Sequence, residues 1–205
     1  RKQVCFVLTS GNGGHRDIVQ CAKFSSDGTL LVTASRDGSA KVLDVLARKV
    51  LFTLDKNNGG HEGWVMYAEI SPLDNRFLLS AGWDGKIILT DLTKGEVIHV
   101  IDQTNGGHFD HARTASFHPR YPLFLSAGDD GSMRLFHRKS HQLKWLLSRE
   151  NGGHREAVLS ASFSPSGRRA VSTSDDHRVI ISDISRREVV FRLTQRNGGF
   201  ADHVR

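Results

Sequence analysis

Serine, histidine and aspartate are the residue types of a hydrolase triad, and this chain of 205 residues repeats them at fixed spacing. A histidine recurs four times, and an aspartate follows it by 22, 23, 22 and 22 residues. The pairs are His15–Asp37, His61–Asp84, His108–Asp130 and His154–Asp176. An active site is expected once, whereas these residues recur at equivalent positions. We therefore predict a structural role and no catalytic residues, since neither a nucleophile elbow nor a phosphate-binding loop accompanies them.

The same histidines raise the question of a metal site, because imidazole is a common zinc ligand. A zinc site needs three or four ligands that converge on one ion, and histidines from separate repeats are not expected to converge. The segment His108-Phe-Asp-His111 has a ligand-like spacing, but His108 already belongs to the repeated pattern. We predict no metal and no other cofactor.

An Asn-Gly-Gly tripeptide divides the chain into repeats, at steps of 46, 47, 46 and 46 residues. It begins at Asn12, Asn58, Asn105, Asn151 and Asn197. Asn-Gly is a strong tight-turn signal, but other turns would serve equally well. The sequence alone gives no physical cause for the uniformity of the tripeptide.

Within each repeat, hydrophobic residues alternate with a period of two. The first repeat predicts strands at Val19–Phe24, Leu30–Ala34, Ala40–Asp44 and Lys49–Leu54. Turns with Asp-Gly or Ser-Pro separate such runs, and no segment has the pattern of an amphipathic helix. Units of four strands that recur in this way are typical of a β-propeller. We predict an all-β propeller with four four-stranded antiparallel blades and a surplus outer strand.

At these positions the sequence resembles the WD40 family. Each of the four repeats carries a Gly-His pair and, four residues before the turn aspartate, a hydroxyl residue: Thr33, Ser80, Ser126 or Ser172. The resemblance implies a His–Ser/Thr–Asp hydrogen-bond network in each blade. The family's Trp-Asp pair is missing, and its place is taken by Leu43-Asp44, Thr90-Asp91, Phe136-His137 and Ser182-Asp183. Without the indole donor, each network is expected to contribute less stability.

We expect residues 1–205 to form one propeller domain, or a portion of one. The blades are expected near 15–56, 61–103, 108–149 and 154–195, with an extra outer strand and loop at 1–14 and the start of a fifth repeat at 196–205. A closed ring of four has one outer strand too many, because both Gln3–Leu8 and Glu188–Leu193 have that pattern. Two explanations stay open: a window cut from a longer propeller, and an engineered protein. In both, open blade edges would favour self-association.

The resemblance also implies a partner-binding top face, built from three positions in each repeat. These positions lie three and five residues after the histidine and one residue before the turn aspartate. They are Ile18, Gln20, Arg36, Trp64, Met66, Trp83, His111, Arg113, Asp129, Ala157, Leu159 and Asp175. Trp and Arg are enriched at interface hot spots. The candidate partner-binding residues are Arg36, Trp64, Met66, Trp83, His111, Arg113, Asp129 and Asp175. Local packing of the two tryptophans is the alternative.

We therefore expect a non-enzymatic scaffold that binds proteins or peptides. The formal net charge of +6 and the basic pairs Arg168-Arg169 and Arg186-Arg187 leave an alternative open. In that alternative, the chain is a subunit of an RNA-processing or ribosome-assembly complex and contacts RNA phosphates with its basic rim. A third interpretation is an engineered self-assembling propeller without a natural partner.

The composition bears on core size, on membrane insertion and on the cellular compartment. Hydrophobic residues make up 38% of the chain, which is enough for a folded core. No apolar run approaches the roughly 18–20 residues that span a bilayer, so no membrane insertion is expected. Both cysteines, Cys5 and Cys21, lie in apolar strand-like runs, which favours reduced thiols and an intracellular protein, cytoplasmic or nuclear.

Overall fold

A computed structural model of the chain describes residues 6–198. The strands form four four-stranded antiparallel sheets, which confirms the predicted all-β propeller fold. In chain order they are β1 (Val19–Phe24), β2 (Leu30–Ser35), β3 (Ala40–Asp44), β4 (Lys49–Leu54), β5 (Val65–Ile70), β6 (Phe77–Gly82), β7 (Ile87–Asp91), β8 (Glu96–Ile101), β9 (Ala112–Phe117), β10 (Leu123–Gly128), β11 (Met133–His137), β12 (Leu143–Leu147), β13 (Val158–Phe163), β14 (Arg169–Ser174), β15 (Val179–Asp183) and β16 (Glu188–Leu193). Sheet 1 contains β1–β4, sheet 2 β5–β8, sheet 3 β9–β12 and sheet 4 β13–β16.

The ends of the chain differ from its middle. Phe6–Leu8 of the predicted extra outer strand has no strand assignment, and the rest of that segment lies outside the described residues. At the other end, the predicted fifth repeat begins in a 3-10 turn at Gln195–Asn197, and the residues after Gly198 lie outside the described part.

Neighbouring sheets pack face to face. We call the surface of a sheet that is turned toward the preceding sheet its N-side face, and the opposite surface its C-side face. Side chains alternate between the two faces along each strand. Three apolar clusters result: Val32 packs with Val65 between sheets 1 and 2, Leu79 with Phe124 between sheets 2 and 3, and Leu125 with Ala170 between sheets 3 and 4.

The series of sheets is open. In residues 6–198, no buried apolar cluster joins sheet 4 to sheet 1. Phe24 on the N-side face of sheet 1 is 66% exposed, whereas its equivalents Ile70 and Phe117 are each 4% exposed. Within the described residues, the four sheets therefore share three interfaces, and one face at each end is not covered by another sheet.

The Asn-Gly-Gly loops connect the outermost strand of one repeat to the innermost strand of the next. In each loop the asparagine Oδ1 accepts the backbone N–H three residues earlier, at 2.6–3.0 Å. Its Nδ2 donates to the carbonyl five residues earlier, also at 2.6–3.0 Å. One side chain thus closes the 3-10 turn and fixes it to the end of the preceding strand, which requires an amide that both accepts and donates.

The two glycines of the loop meet separate requirements. The first has a positive φ, for example 98° at Gly106, a region that glycine adopts without strain. The second glycine approaches the backbone of the preceding turn closely. The Gly107 N–H donates to the Asp102 carbonyl oxygen at 2.7 Å, so a Cβ at Gly107 would lie only 2.7 Å from the same oxygen. Each residue of the tripeptide therefore has its own physical cause, so its uniformity does not by itself indicate engineering.

We predict that Gly107→Ala destabilises the protein by more than about 1 kcal/mol, because the added methyl group collides with the backbone of Asp102. Gly11→Ala is the matched control in an equivalent loop, since its Cβ would meet nothing closer than Thr9 Oγ1 at 3.8 Å. Urea unfolding of both variants measures the difference. Equal stabilities would contradict this account of the loop.

Candidate functional site

The repeated His, Ser/Thr and Asp side chains lie together in every sheet. Histidine Nδ1 is 2.8–3.0 Å from the aspartate of the same repeat. Histidine Nε2 is 2.7–2.9 Å from the hydroxyl. Because a carboxylate only accepts, Nδ1–H donates to it and Nε2 accepts from the hydroxyl. The groups so placed are His15, Thr33, Asp37; His61, Ser80, Asp84; His108, Ser126, Asp130; and His154, Ser172, Asp176.

This geometry favours a structural role over catalysis. Both ring nitrogens are occupied, and the hydroxyl residues are buried, with Ser80 and Ser126 at 0% exposure. Burial lowers the pKa of His15 and of His108, although hydrogen bonds to Asp37 and Asp130 act in the opposite direction. The neutral imidazole is therefore the stable form, and it links the loop before each sheet to a turn inside it.

The aspartates carry further hydrogen bonds. The Asp37 carboxylate accepts the Arg16 N–H at 2.9 Å and the Ser39 hydroxyl at 2.6 Å. Burial alone would raise the pKa of Asp37, but the hydrogen bonds from Ser39, Arg16 and His15 outweigh it and lower the pKa to about 2. At Asp130, an ion pair with Arg134 at 2.8 Å adds to the bonds from His108 and Ser132.

Apolar packing fills two of the four positions that hold tryptophan in the WD40 pattern. Leu43 is 4% exposed, and Phe136 stacks on Phe124 with ring centroids 5.2 Å apart. Thr90 and Ser182 are also buried, but their hydroxyl groups have no hydrogen-bond partner. In two sheets, apolar packing thus takes the place of the indole donor. In the other two sheets, no hydrogen bond replaces it.

Two of the three top-face positions of each repeat are joined through the backbone. The N–H of the residue before the turn aspartate donates to the carbonyl of the residue three after the histidine. These bonds are Arg36 to Ile18 at 2.9 Å, Trp83 to Trp64 at 2.8 Å, Asp129 to His111 at 2.8 Å and Asp175 to Ala157 at 3.1 Å. Both residues of a pair therefore lie at the same end of the sheet.

The third top-face position is a β-bulge in the innermost strand of every sheet. The register skips one residue there: Gln20, Met66, Arg113 and Leu159. A bulge turns a side chain away from the regular alternation. All four bulge residues line one cleft of about 780 Å³, together with Arg36 and Asp175. The residues that follow the bulges line it too: Cys21, Tyr67, Thr114 and Ser160. Sequence reasoning missed this second set, because the positions carried over from the family resemblance did not include it.

A row of stacked side chains runs beside the cleft. The Arg36 guanidinium lies 4.3 Å from the Trp64 ring centroid, and the Trp64 and Trp83 rings stack at 3.9 Å. His111 stacks on Trp83 at 4.4 Å, and its Nδ1–H donates to the Trp83 carbonyl at 2.7 Å. The two tryptophans do pack locally, against each other, and at the same time form part of a larger surface.

The two arginines of the top face have different partners. Arg113 binds both carboxylate oxygens of Asp129, at 2.6 and 2.8 Å, and this pairing raises the pKa of Arg113. The guanidinium of Arg36 contacts the Gln20 amide oxygen and the Trp64 ring, which are uncharged. Neither of these two partners neutralises the positive charge of Arg36 beside the cleft.

One group of acidic residues and histidine has metal-ligand geometry. Ligand atoms of Asp110, His111 and Asp129 lie within 4.8 Å of one another. However, His111 Nδ1 is engaged by the Trp83 carbonyl, and both Asp129 oxygens bind Arg113. We therefore assign the three residues to the packing of the top face.

A second cleft, of about 560 Å³, lies between sheets 3 and 4 at the opposite end of the strands. The predicted basic residues Arg168 and Arg187 line it, and so do Arg120 and Lys144, which sequence reasoning did not single out. Arg138, from a further basic pair Arg138-Lys139, does not line this cleft, and its guanidinium lies 4.4 Å from the Phe77 ring centroid. The cleft also contains Tyr121, which is 63% exposed.

Comparison with known proteins gives two findings. The family model described as WD domain, G-beta repeat matches residues 5–44, 49–91, 96–137 and 145–183. A curated protein of Danio rerio, WD repeat-containing protein 18, is 36% identical to the chain over 59 residues. That alignment covers 29% of this chain and 12% of the relative. Separately, none of the helices in the described part of the chain is long and apolar enough to cross a membrane.

We predict that Asp130→Asn lowers the free energy of unfolding by about 2 kcal/mol at pH 7, because hydrogen bonds to a charged group are lost. Burial alone would raise the pKa of Asp130, but His108, Ser132 and Arg134 outweigh it and hold the pKa below its ordinary value of 3.8. Its stabilising effect is therefore complete above that value and is lost as the pH falls through the lowered pKa.

The difference between wild type and Asp130→Asn is thus expected to shrink as the pH falls below about 4, where the unfolded carboxyl group takes up its proton. Urea unfolding at several pH values measures it. Asp110→Asn, which changes an exposed carboxylate of the same repeat, is the control and is expected to have little effect. A deficit that did not shrink below pH 4 would refute the assignment.

Proposed function

Because the chain belongs to the WD40 family, whose members typically bind other proteins, we propose that its top face binds a peptide segment of a partner protein. The observation that carries the proposal is the convergence of the four bulge residues on one cleft beside the stacked row. Repetition alone would place these side chains at equivalent positions. The bulges in addition direct them into a common space, where a single ligand contacts all four sheets.

The chemistry of the cleft indicates the kind of segment. Met66 and Leu159 offer apolar contact, and methionine adapts to irregular partners. Arg36 offers a guanidinium to a carboxylate of the partner, whereas Arg113 is already paired with Asp129. We therefore propose a segment with an acidic side chain next to a large apolar one. The binding mechanism is surface complementarity, and no covalent step is involved.

We predict that peptides selected from a displayed library against the immobilised chain carry this acidic and apolar pair. Arg36→Ala and Met66→Ala are each expected to raise the Kd of a selected peptide about tenfold or more, as for hot-spot residues. Trp64→Ala removes the ring that positions Arg36, and a similar loss is expected. Isothermal titration calorimetry measures each Kd.

Leu46→Ala serves as the control, since Leu46 is 92% exposed in the turn between β3 and β4, at the opposite end of the strands. Thermal unfolding of every variant separates lost contacts from lost folding. If the selected peptides bind the Arg36, Met66 and Trp64 variants as tightly as wild type, the top face is not the binding site.

A second candidate function is RNA contact, and the basic cleft between sheets 3 and 4 favours it. Arg120, Lys144, Arg168 and Arg187 line the same cleft as Tyr121, whose side chain is exposed. Single-stranded nucleic acid is bound by this combination of cations for phosphates and an aromatic surface for a base.

The prediction is that a fluorescent oligouridine binds with a steep salt dependence, measured by anisotropy. Arg168→Ala and Arg187→Ala are each expected to make the slope of log K against log salt shallower by about 0.7, the contribution of one phosphate contact. Lys49→Ala, on sheet 1 and far from the cleft, is the control. Salt-independent binding, or equal effects of all three variants, would argue against this function.

A further inference from the structure

The asparagine–glycine bonds of the five loops have the composition of deamidation sites. In this reaction the glycine backbone nitrogen attacks the asparagine Cγ. The side-chain nitrogen leaves as ammonia with the proton of the glycine N–H, and water opens the cyclic imide to aspartate or isoaspartate. Glycine has no side chain to obstruct the attack, and asparagine is thermolabile. The five asparagines are all exposed to water: Asn12, Asn58, Asn105, Asn151 and Asn197.

The folded loop holds each asparagine in a geometry that does not react. The asparagine ends a 3-10 turn, as in Gln103–Asn105. The imide is a nearly planar ring that includes the Cα–C bond, and its closure needs a ψ far from the roughly −20 to −30° of a 3-10 turn. The side chain would also have to release both of its hydrogen bonds. Asn105 accepts from the Asp102 N–H at 3.0 Å and donates to the Val100 carbonyl at 2.9 Å.

Two arginines hold the loops before sheets 3 and 4 more firmly than the others. Arg134 donates to the Gly106 carbonyl at 2.7 Å. Arg192 donates to the Gly152 carbonyl from two nitrogens, at 3.3 and 2.7 Å. Each arginine therefore fixes the peptide group that follows a reactive asparagine.

The loop before sheet 2 has no such support from these two positions. The residues of sheet 2 that correspond to Arg134 and Arg192 are Ile88 and Val100, whose side chains carry no hydrogen-bond donor. Asn58 is therefore held by its own side chain and its turn, without a guanidinium group on the glycine that follows it.

We propose that the asparagine–glycine bonds are deamidation sites that react only while a loop is open, and that each reaction prevents the loop from closing again. An aspartate carboxylate only accepts, so it would face the carbonyl to which asparagine Nδ2 donates at 2.6–3.0 Å. Isoaspartate adds a carbon to the main chain and displaces the turn. Transient opening of a connection between sheets thus becomes a permanent change in the chain.

Peptide mapping by mass spectrometry tests the dependence on opening. Folded and urea-unfolded chain are incubated in the same mildly alkaline buffer, and the gain of one mass unit at each bond is followed with time. We expect the bonds of the folded chain to react about tenfold more slowly or less, because the rate is multiplied by the fraction of open loops. Asn58 is expected to react faster than Asn151 in the folded chain only. Equal rates in folded and unfolded chain would overturn the proposal, and this comparison needs no variant.

Arg192→Ala tests the protection at one loop. We expect the rate at Asn151 to rise about threefold or more, because a charged hydrogen bond to Gly152 is lost, and the rate at Asn58 to stay unchanged. Arg169→Ala is the control, since it removes an exposed arginine from β14 of the same sheet. A rate at Asn151 that does not change in Arg192→Ala, or that rises equally in both variants, would contradict the role of the loop geometry.

The consequence of the reaction is tested with its direct product. Asn58→Asp is expected to unfold at a lower urea concentration than wild type, because the carboxylate faces the Thr53 carbonyl. Asn57→Asp adds the same charge at the neighbouring exposed residue of the same loop and is expected to have the smaller effect. Equal urea midpoints of the two variants would show that deamidation leaves the loop able to close, against the proposal.

Discussion

Apolar contact between neighbouring sheets is the interaction on which the other features depend. A single four-stranded sheet of this size has two faces and cannot bury either alone, so each sheet is stabilised by the sheets beside it. The positions that serve this contact are mostly Val, Leu, Ile, Ala and Phe, on both faces of the sheets. The buried hydrogen-bond networks and the Asn-Gly-Gly loops then fix how one sheet follows another. In these networks both nitrogens of each histidine are engaged, by the aspartate and the hydroxyl of the same repeat.

The top face is a consequence of the same repetition. Each repeat joins two of its top-face residues by a backbone hydrogen bond and places the third on a bulge. The scaffold thus determines where the side chains lie, while their chemical type is free to differ between repeats. Repeat two has tryptophans where repeat four has Ala157 and Asp175. A surface with its own chemical character therefore arises on a regular framework, without any change in the strands.

Much of the fold could be predicted from the sequence, because period-two alternation and the 46-residue repeat are local signals. The first-repeat strands differ from the structure by one residue, at Ser35. Three features could not be predicted. Each bulge shifts the alternation of one short strand by a single residue, which is hard to recognise where polar and apolar residues are mixed. The double hydrogen bond of each loop asparagine appears only when the turn and the strand end are placed together. The stacking of Arg36 and His111 on the tryptophans depends on contacts between different sheets, which spacing within a repeat does not give.

The stacked tryptophans also determine how the molecule can be observed. The chain has three tryptophans, and two of them, Trp64 and Trp83, lie in contact beside the top-face cleft. Indole rings at this separation are electronically coupled, so their absorption and circular dichroism depend on their mutual orientation. Trp145 is in the apolar cluster between sheets 3 and 4 and provides a separate background signal. Most of the tryptophan signal in the ultraviolet spectrum therefore comes from residues beside the top-face cleft, the proposed binding surface. The spectrum of the unlabelled protein can thus be used to monitor that surface.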